Sequence, residues 1–293
     1  MKTIKDLFKA FLILILIIFL LSFVLGVLFS FGFSSQHFAL VRISGEIVSE
    51  KSTSLFGNQI SADELIETIE ELKNNPNVVG ILFEINSPGG SVVAGQEIYE
   101  SMLELKKPKV SYIREVGASG AYYLALASDK IISNPYAITG SIGVVSVVTD
   151  LSGLFEKLGI NTTTIKSGEM KDIGAEYRKM TEEEKKILSV IVQDIFLDFK
   201  SEIEKRRKNL NRATFEQILD ARILSGKQAK EIGLVDELGT REVAIKSLAS
   251  LANVSETLPI VEYGKRETNL LSLLFSAFLP TKTEANLKMQ MSP

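Results

Sequence analysis

Short apolar segments alternate with segments typical of helices along most of this chain, and this alternation restricts its fold more than any other feature. The segment 78–85 is almost continuously apolar and ends in Asn86-Ser-Pro-Gly-Gly90, as expected of a buried strand that leads into a tight loop. The segment 181–208 has the apolar spacing of an amphipathic helix. Strands that alternate with helices predict an α/β fold in which helices cover the sheet.

The same patterns predict the remaining elements. Ser61 is expected to cap a helix that ends before Pro76, with Glu64 completing a capping box. Thr181 is expected to cap the long helix that follows it. Further strands are predicted at 38–48 (bent at Gly45), 109–114, 130–133, 138–148 and 161–166, and further helices at 95–106, 119–127, 214–219, 227–232 and 240–251.

An apolar segment without any charge, 11–33, precedes the first predicted strand. It is long enough for a membrane-spanning helix, which needs about 20 residues, and longer than the core of a signal peptide. Lys2, Lys5 and Lys9 precede it, whereas the first basic residue after it is Arg42. The positive-inside rule then predicts one span, with the N-terminus in the cytoplasm and the rest of the chain outside.

Three regions follow from this. Residues 1–33 are the cytoplasmic stub and transmembrane anchor, 34–264 form the folded domain, and 265–293 are a C-terminal tail. The tail contains a second apolar patch at 270–279, which is too short to span a bilayer. We expect that patch to pack on the domain or to touch the membrane surface.

The composition excludes several kinds of chemistry. The chain has no cysteine and a single histidine, His37, which excludes disulfides, thiolate nucleophiles and zinc sites built from cysteine or paired histidines. Its net charge of −3 gives no reason to expect nucleic acid as a partner. A magnesium or calcium site made only of carboxylates stays open, although no loop of the Asp-x-Asp-x-Asp-Gly type occurs.

Ser119 is the candidate nucleophile. It lies among small residues in Gly117-Ala-Ser-Gly-Ala121, where a strand is expected to turn into a helix. A serine at such a turn is accessible to substrate and to backbone amides. The amides of Gly120 and of Gly90 could together form an oxyanion hole, although each turn taken alone is also typical of an ordinary loop.

The base that would activate Ser119 cannot be a nearby histidine, because His37 lies directly after the apolar segment. A lysine is the alternative, and its pKa of about 10.4 must then fall towards 7–8 through burial. Lys171 is the leading candidate, since it lies between Met170 and Ile173 in a glycine-flanked loop. Local sequence alone does not separate it from Lys166 or Lys179.

A series of motifs resembles the bacterial signal peptide peptidase A family and covers roughly residues 38–251. In order along the chain they are Asn86-Ser-Pro-Gly-Gly90, Gly117-Ala-Ser-Gly-Ala-Tyr-Tyr123, Thr139-Gly-Ser-Ile-Gly143, Lys166-Ser-Gly-Glu-Met-Lys-Asp-Ile173, Arg178-Lys-Met-Thr-Glu-Glu-Glu184, Ala221-Arg-Ile-Leu-Ser-Gly-Lys-Gln-Ala229 and Leu234-Val-Asp-Glu-Leu-Gly239. So many motifs in one order make chance agreement improbable.

The resemblance implies an α/β fold of the crotonase and Clp-protease type, a superhelix of β-β-α units. It also implies a role for each matching residue. Ser119 would be the nucleophile and Lys171 the general base, Gly90 and Gly120 would supply the oxyanion amides, and Ser141 would hydrogen-bond the lysine amine.

The sequence departs from the family pattern at two places. Gly117 and Ala121 stand where the family more often has alanine and glycine, and Ala175-Glu176 replaces a common Ser-Pro. Neither departure touches the dyad, and the second one changes the loop that follows Lys171.

The resemblance further implies a serine endopeptidase of the bacterial cell membrane that degrades remnant signal peptides and other short apolar peptides, without a cofactor. In double-length family members the lysine and the serine lie in different repeats, whereas this chain has one copy. We therefore expect a homo-oligomeric ring, an octamer by resemblance, in which neighbouring protomers share the dyad. Two alternatives stay open at this point: a crotonase-like enzyme acting on acyl-CoA thioesters, and a catalytically silent scaffold that binds apolar peptides.

Overall fold

A mostly parallel sheet organises the protein, for which the computed structural model describes residues 4–30, 36–50 and 59–264. Within that part of the chain the strands are β1 His37–Ser44, β2 Glu46–Val48, β3 Gln59–Ser61, β4 Val78–Ser87, β5 Lys109–Ala118, β6 Lys130–Ser133, β7 Ile138–Gly140, β8 Ile223–Ser225, β9 Glu237–Leu238 and β10 Ile260–Tyr263. Six of them lie in the order β10-β1-β4-β5-β6-β9, all parallel. Strand β7 extends the sheet beside β5, β8 pairs antiparallel with β7, and β2 and β3 form a separate parallel pair.

Helices connect these strands. They are α1 Ile4–Ser30, α2 Ala62–Asn74, α3 Val92–Glu104, α4 Gly120–Ala125, α5 Ser152–Lys157, α6 Glu182–Arg206, α7 Arg212–Gln217, α8 Gly226–Ile232 and α9 Arg241–Ala252, with a 3-10 turn at Glu169–Asp172. The predicted α/β class is confirmed.

Both faces of the sheet are buried, which explains why its strands are so apolar. Phe38 and Leu40 of β1 point to one face, where they pack with α9, while Ala39 and Val41 point to the other. That second face carries the larger core, which includes residues of α2, α3, α4 and α6. The ends of β4 and β5 are thereby fixed from both sides, and the loops that follow them start from a rigid frame.

The predicted boundaries hold best where local chemistry defines them. Strand β6 occupies the predicted residues, and Gly45, with a φ of 94°, makes the bend between β1 and β2. Thr181 caps α6 in a complete capping box with Glu184. The capping box predicted for α2 is wrong, because Ser61 is also the last residue of β3 and its hydroxyl donates to the Ser49 carbonyl instead.

Two strand predictions are wrong. The strand predicted at 138–148 stops at Gly140, and residues 161–166 form no strand. Gly140 and Ser141 have φ angles of 77° and 49°, so the chain turns away from β5 there. Beyond this turn Val145 and Val147 are 82% and 81% exposed, with no strand beside them in the described part of the protein. Their pattern is typical of a strand, but a strand also needs a partner.

The first helix has apolar side chains exposed along the part for which side chains are described, 11–23. No helix within the described residues meets the length and hydropathy required to cross a membrane. The tail predicted at 265–293, including its apolar patch, lies outside the described residues.

Candidate active site

Ser119 occupies the sharp turn between β5 and α4. Its φ of 53° and ψ of −126° lie in a region that residues with a side chain rarely adopt. Such a conformation costs on the order of 1–3 kcal/mol and persists only where the surroundings impose it. Here the Ser119 amide donates to the Gly140 carbonyl at 2.9 Å, and the Tyr123 amide donates to the Ser119 carbonyl at 3.0 Å. The backbone N–H and C=O of Ser119 are thus both hydrogen-bonded, which holds the turn in place.

The turn after β4 lies directly against that of Ser119. Gly89 has a φ of 101°, and a Cβ at this position would lie 2.8 Å from the Gly120 nitrogen and 3.1 Å from the Ser119 Cβ. A Cβ on Gly90 would lie 2.1 Å from the Ile47 carbonyl oxygen. The Ile47 amide donates to Gly89 at 2.9 Å, and the Ser91 amide donates to Ile47 at 2.8 Å. Only glycines fit between the Ile47 backbone and the serine turn.

This arrangement brings two backbone amides together beside the serine. A Cβ built on Gly120 would lie 3.5 Å from the Gly90 nitrogen. Neither amide donates a hydrogen bond within the described part of the protein. Gly120 is also the first residue of α4, where helical N–H groups have no partner in their own helix. Two free N–H groups next to a serine turn are an arrangement that can stabilise an oxyanion.

An apolar pocket of about 170 Å³ opens next to Ser119. Its walls come from three helices, because Val92 and Gly95 belong to α3, Tyr123 to α4, and Ile195 and Phe199 to α6. The Tyr123 ring packs edge-on to Phe199, with 5.3 Å between centroids, and burial raises the pKa of its hydroxyl. The pocket can accept one apolar side chain.

Sequence reasoning missed this pocket. The i, i+4 spacing of Ile195 and Phe199 identifies an apolar helix face, but it does not show that the face lies beside Ser119. A one-dimensional pattern distinguishes buried from exposed positions and cannot show which cavity a buried position lines.

Ser141 lies in the turn next to that of Ser119. Strands β5 and β7 pair with Gly117 opposite Thr139, and the Thr139 hydroxyl donates to the Gly117 carbonyl at 2.7 Å. Ser141 follows Gly140 with a φ of 49°, and its amide donates to the Arg222 carbonyl at 3.0 Å. The structure therefore brings together the turns that carry four of the five predicted site residues.

Lys171 is the exception. It lies on the 3-10 turn Glu169–Asp172, its side chain is exposed, and it does not line the pocket beside Ser119. Within the described part of one protomer its amine has no hydrogen-bond or ion-pair partner. The segment that leads to it, 144–165, is largely exposed, and Ile165 is 98% exposed.

Several known proteins are similar to this chain in sequence. The family model "Peptidase family S49" matches residues 101–255, and the model "Clp protease" matches residues 41–139. A Methanocaldococcus jannaschii protein named "Putative protease MJ0651" is 41% identical over 80% of this chain and 76% of its own length. An Enterococcus faecium protein named "Putative signal peptide peptidase SppA" is 33% identical over 82% of this chain and 71% of its own.

A solved structure shows the same fold. It is that of a mutant of the "1510-N membrane-bound stomatin-specific protease", and it aligns with a TM-score of 0.52 at 16% identity, over 78% of this chain and 97% of its own. The fold, the two family models and the names of the relatives all indicate a peptidase. The chain belongs to peptidase family S49, among the relatives of signal peptide peptidase A, and it is a serine peptidase.

Proposed function

We propose that this peptidase is anchored in the membrane and cleaves remnant signal peptides and other short apolar peptides through a Ser119–Lys171 dyad. The observation that carries the proposal is the strained Ser119 turn, with two unpartnered amides and an apolar pocket at the same place in the described part of the chain. Such a site is suited to acyl transfer, because nucleophile, oxyanion donors and side-chain pocket all face one substrate carbonyl.

In this mechanism the Ser119 Oγ attacks the carbonyl carbon of the scissile peptide, and its proton passes to the neutral Lys171 amine. The carbonyl oxygen becomes an oxyanion that accepts hydrogen bonds from the Gly90 and Gly120 amides. The C–N bond then breaks, and Lys171 returns the proton to the leaving amine. In the deacylation step water attacks the acyl-enzyme and gives a proton to Lys171. Lys171 then returns this proton to the Ser119 Oγ as the ester bond breaks and the carboxylic acid product leaves.

The contacts of the three candidate lysines argue against Lys166 as the base, and the family resemblance selects Lys171 over Lys179. The Lys166 amine already donates to an Asp172 carboxylate oxygen at 2.6 Å and to the Glu169 carbonyl at 2.7 Å. Lys179 is exposed and faces the Asp150 carboxylate, whose pKa is lowered mainly by hydrogen bonds from Ser152. Lys171 has a free amine within the described part of the protomer, as a group that must accept a proton requires.

The position of Lys171 outside the Ser119 pocket supports a dyad shared between subunits. Val145, Val147 and Ile165 expose large apolar surfaces on the segment that leads to Lys171, and burial of these side chains would favour subunit association. A head-to-tail contact repeated around an axis closes into a ring in which each serine meets a neighbour's lysine. By family resemblance the ring is an octamer.

Apolar peptides are the proposed substrates because apolar and aromatic side chains line most of the pocket beside Ser119, with Gln96 and Asp198 as polar side chains in its wall. The membrane anchor is supported by the charge-free segment 11–33 and by the exposed apolar side chains of 11–23. Three lysines precede this segment, and the first basic residue after it is Arg42. This charge difference favours a cytoplasmic N-terminus and a catalytic domain outside. The relative named as a signal peptide peptidase agrees with the substrate class.

The dyad is tested by fluorophosphonate labelling and by turnover of an alanine- and leucine-rich signal peptide, using wild type, Ser119→Ala, Lys171→Ala and Lys166→Ala. Labelling should occur at Ser119, and both Ser119→Ala and Lys171→Ala should lose turnover while staying folded. Near-normal activity of Lys171→Ala would overturn the assignment of the base.

A further inference from the structure

The turn that carries Lys171 is tied down through its neighbour, Asp172. The Asp172 side chain is only 10% exposed, and its two oxygens accept four hydrogen bonds. Lys166 donates at 2.6 Å, Tyr177 at 3.1 Å, and Arg178 donates twice, at 3.0 Å from Nε and 2.6 Å from Nη2. A carboxylate offers about four acceptor sites, so that of Asp172 is saturated.

Arg178 connects this carboxylate to the start of α6. Besides Asp172, its guanidinium binds both carboxylate oxygens of Glu184, one of them at 2.9 Å from Nη1. Glu184 is 2% exposed and also accepts the Thr181 amide at 2.8 Å, within the capping box of α6. A planar guanidinium that pairs with two carboxylates fixes both distance and direction, which a lysine amine would not do. Lys171 therefore projects from a turn that is joined to a 25-residue helix.

We propose that Asp172 and Arg178 are positioning residues for Lys171, an inference that rests on the proposed role of Lys171 as the base. In the described part of its own subunit the Lys171 amine has no partner, whereas the Lys171 amide donates to the Gly168 carbonyl at 3.1 Å, so only the backbone of this residue is held there. The Asp172–Arg178–Glu184 clamp fixes the backbone of that turn relative to α6 of the same subunit, so that Lys171 is presented to a neighbour's Ser119 from a fixed place. A displacement of about 1 Å at a reacting group can cost about 100-fold in rate.

The clamp has a second consequence for the lysine amine. An aspartate next to a lysine could pair with it and hold it protonated, which would prevent it from accepting the serine proton. Here Lys166, Tyr177 and Arg178 occupy all four acceptor sites of Asp172. The Lys171 amine is consequently left free of its acidic neighbour.

The test compares Arg178→Met and Asp172→Asn with the wild type, using a signal peptide as substrate in the full-length protein. We expect kcat to fall about 10- to 100-fold in both variants, the range known for residues that orient a functional group, with KM little changed. Lys73→Met is the matched control, because Lys73 also joins two carboxylates, those of Glu70 at 3.1 Å and Glu104 at 2.6 Å. These carboxylates lie on α2 and α3, away from the turn that carries Lys171. The control variant should leave kcat unchanged.

A second measurement separates positioning from general loss of structure. The rate at which a small fluorophosphonate labels Ser119 reports activation of the hydroxyl without peptide binding. Arg178→Met should slow this rate in the wild-type background and should add nothing to the loss in Lys171→Ala, because groups that act as one unit are not additive. Arg178→Lys keeps the positive charge but loses the planar guanidinium that pairs with two carboxylates. Its labelling rate should lie between those of wild type and Arg178→Met.

Three results would overturn the inference: wild-type kcat in both Arg178→Met and Asp172→Asn, an effect confined to KM, or a further loss of labelling when Arg178→Met is added to Lys171→Ala. Failure of the proposed dyad has a different signature. In that case Lys171→Ala alone would keep its activity, whatever the behaviour of the Arg178 and Asp172 variants.

Discussion

The Ser119 amide donates a hydrogen bond of 2.9 Å to the Gly140 carbonyl, which joins the turn of the proposed nucleophile to the turn that carries Ser141. Both turns are strained, with positive φ at Ser119 and Ser141, and both follow strands that pair in register. Since strand pairing fixes where each turn begins, the sheet positions the serine more rigidly than a surface loop could.

A shared dyad predicts complementation between inactive subunits. Ser119→Ala keeps a functional lysine and Lys171→Ala keeps a functional serine, so mixing them under conditions of subunit exchange should restore activity wherever the two intact residues meet. Turnover of a signal peptide, with exchange followed by fluorescence transfer between labelled subunits, measures this. No recovery despite demonstrated exchange would place both residues in one protomer.

Filling the pocket should change substrate preference without harming the fold. Gly95 lines the pocket, and a Cβ at this position would meet no atom within 4 Å. It lies within α3, where replacing glycine by alanine favours the helix by about 1 kcal/mol. We expect Gly95→Leu to lower kcat/KM for peptides with leucine at the cleavage site and to spare peptides with alanine there.

The graded variant Gly95→Ala serves as the control, since one methyl group should leave room for most side chains. Measurement of kcat/KM on a matched leucine and alanine peptide pair decides the point. An equal loss on both peptides in Gly95→Leu would mean that the pocket does not hold the side chain next to the scissile bond.

The glycines at the two turns should differ sharply in how much their replacement by alanine destabilises the fold. Alanine at Gly90 would place its Cβ 2.1 Å from the Ile47 carbonyl oxygen, and alanine at Gly89 would lie 2.8 Å from the Gly120 nitrogen at a positive φ. Both should destabilise the fold by several kcal/mol. Gly120→Ala meets its nearest atom at 3.5 Å and should fold normally. Chemical denaturation of the three variants checks this order, and equal stabilities would contradict the packing around Ile47.

Acid should weaken the clamp around Lys171. Hydrogen bonds and charge from Arg178 hold the pKa of Asp172 well below its usual range and lower that of Glu184 to about 2. A carboxyl whose folded pKa is depressed stabilises the fold above its ordinary pKa, about 4, and this contribution disappears as the pH falls towards the folded value. Wild type should therefore lose stability between about pH 4 and pH 2.

Arg178→Met should show a smaller loss over that range, because without the guanidinium the two carboxyls titrate closer to their ordinary values. Thermal unfolding from strongly acidic to neutral pH provides the measurement, and parallel pH profiles for wild type and Arg178→Met would contradict the ion pairs.

The sequence predicted the local structure around the candidate site where chemistry is local. The serine turn, the glycine turn after β4 and the N-cap of α6 depend on neighbouring residues and are found where expected. The distance between Ser119 and Lys171 is not local, because the intervening segment 144–165 leaves the sheet and packs little of its apolar surface. The strand predicted to extend through the valine-rich segment 144–148 failed for a related reason: the sequence shows apolar side chains, but not what covers them.

The strained backbone at Ser119 means that the residue best for stability at this position differs from the residue that the proposed activity needs. Glycine would adopt a φ of 53° with a ψ of −126° more easily than serine, so Ser119→Gly should give a peptidase that is inactive yet harder to unfold. For folding alone, a side chain at this position is a disadvantage. In the proposed mechanism hydrolysis needs the hydroxyl, so part of the protein's stability is given up at the atom proposed to perform the reaction.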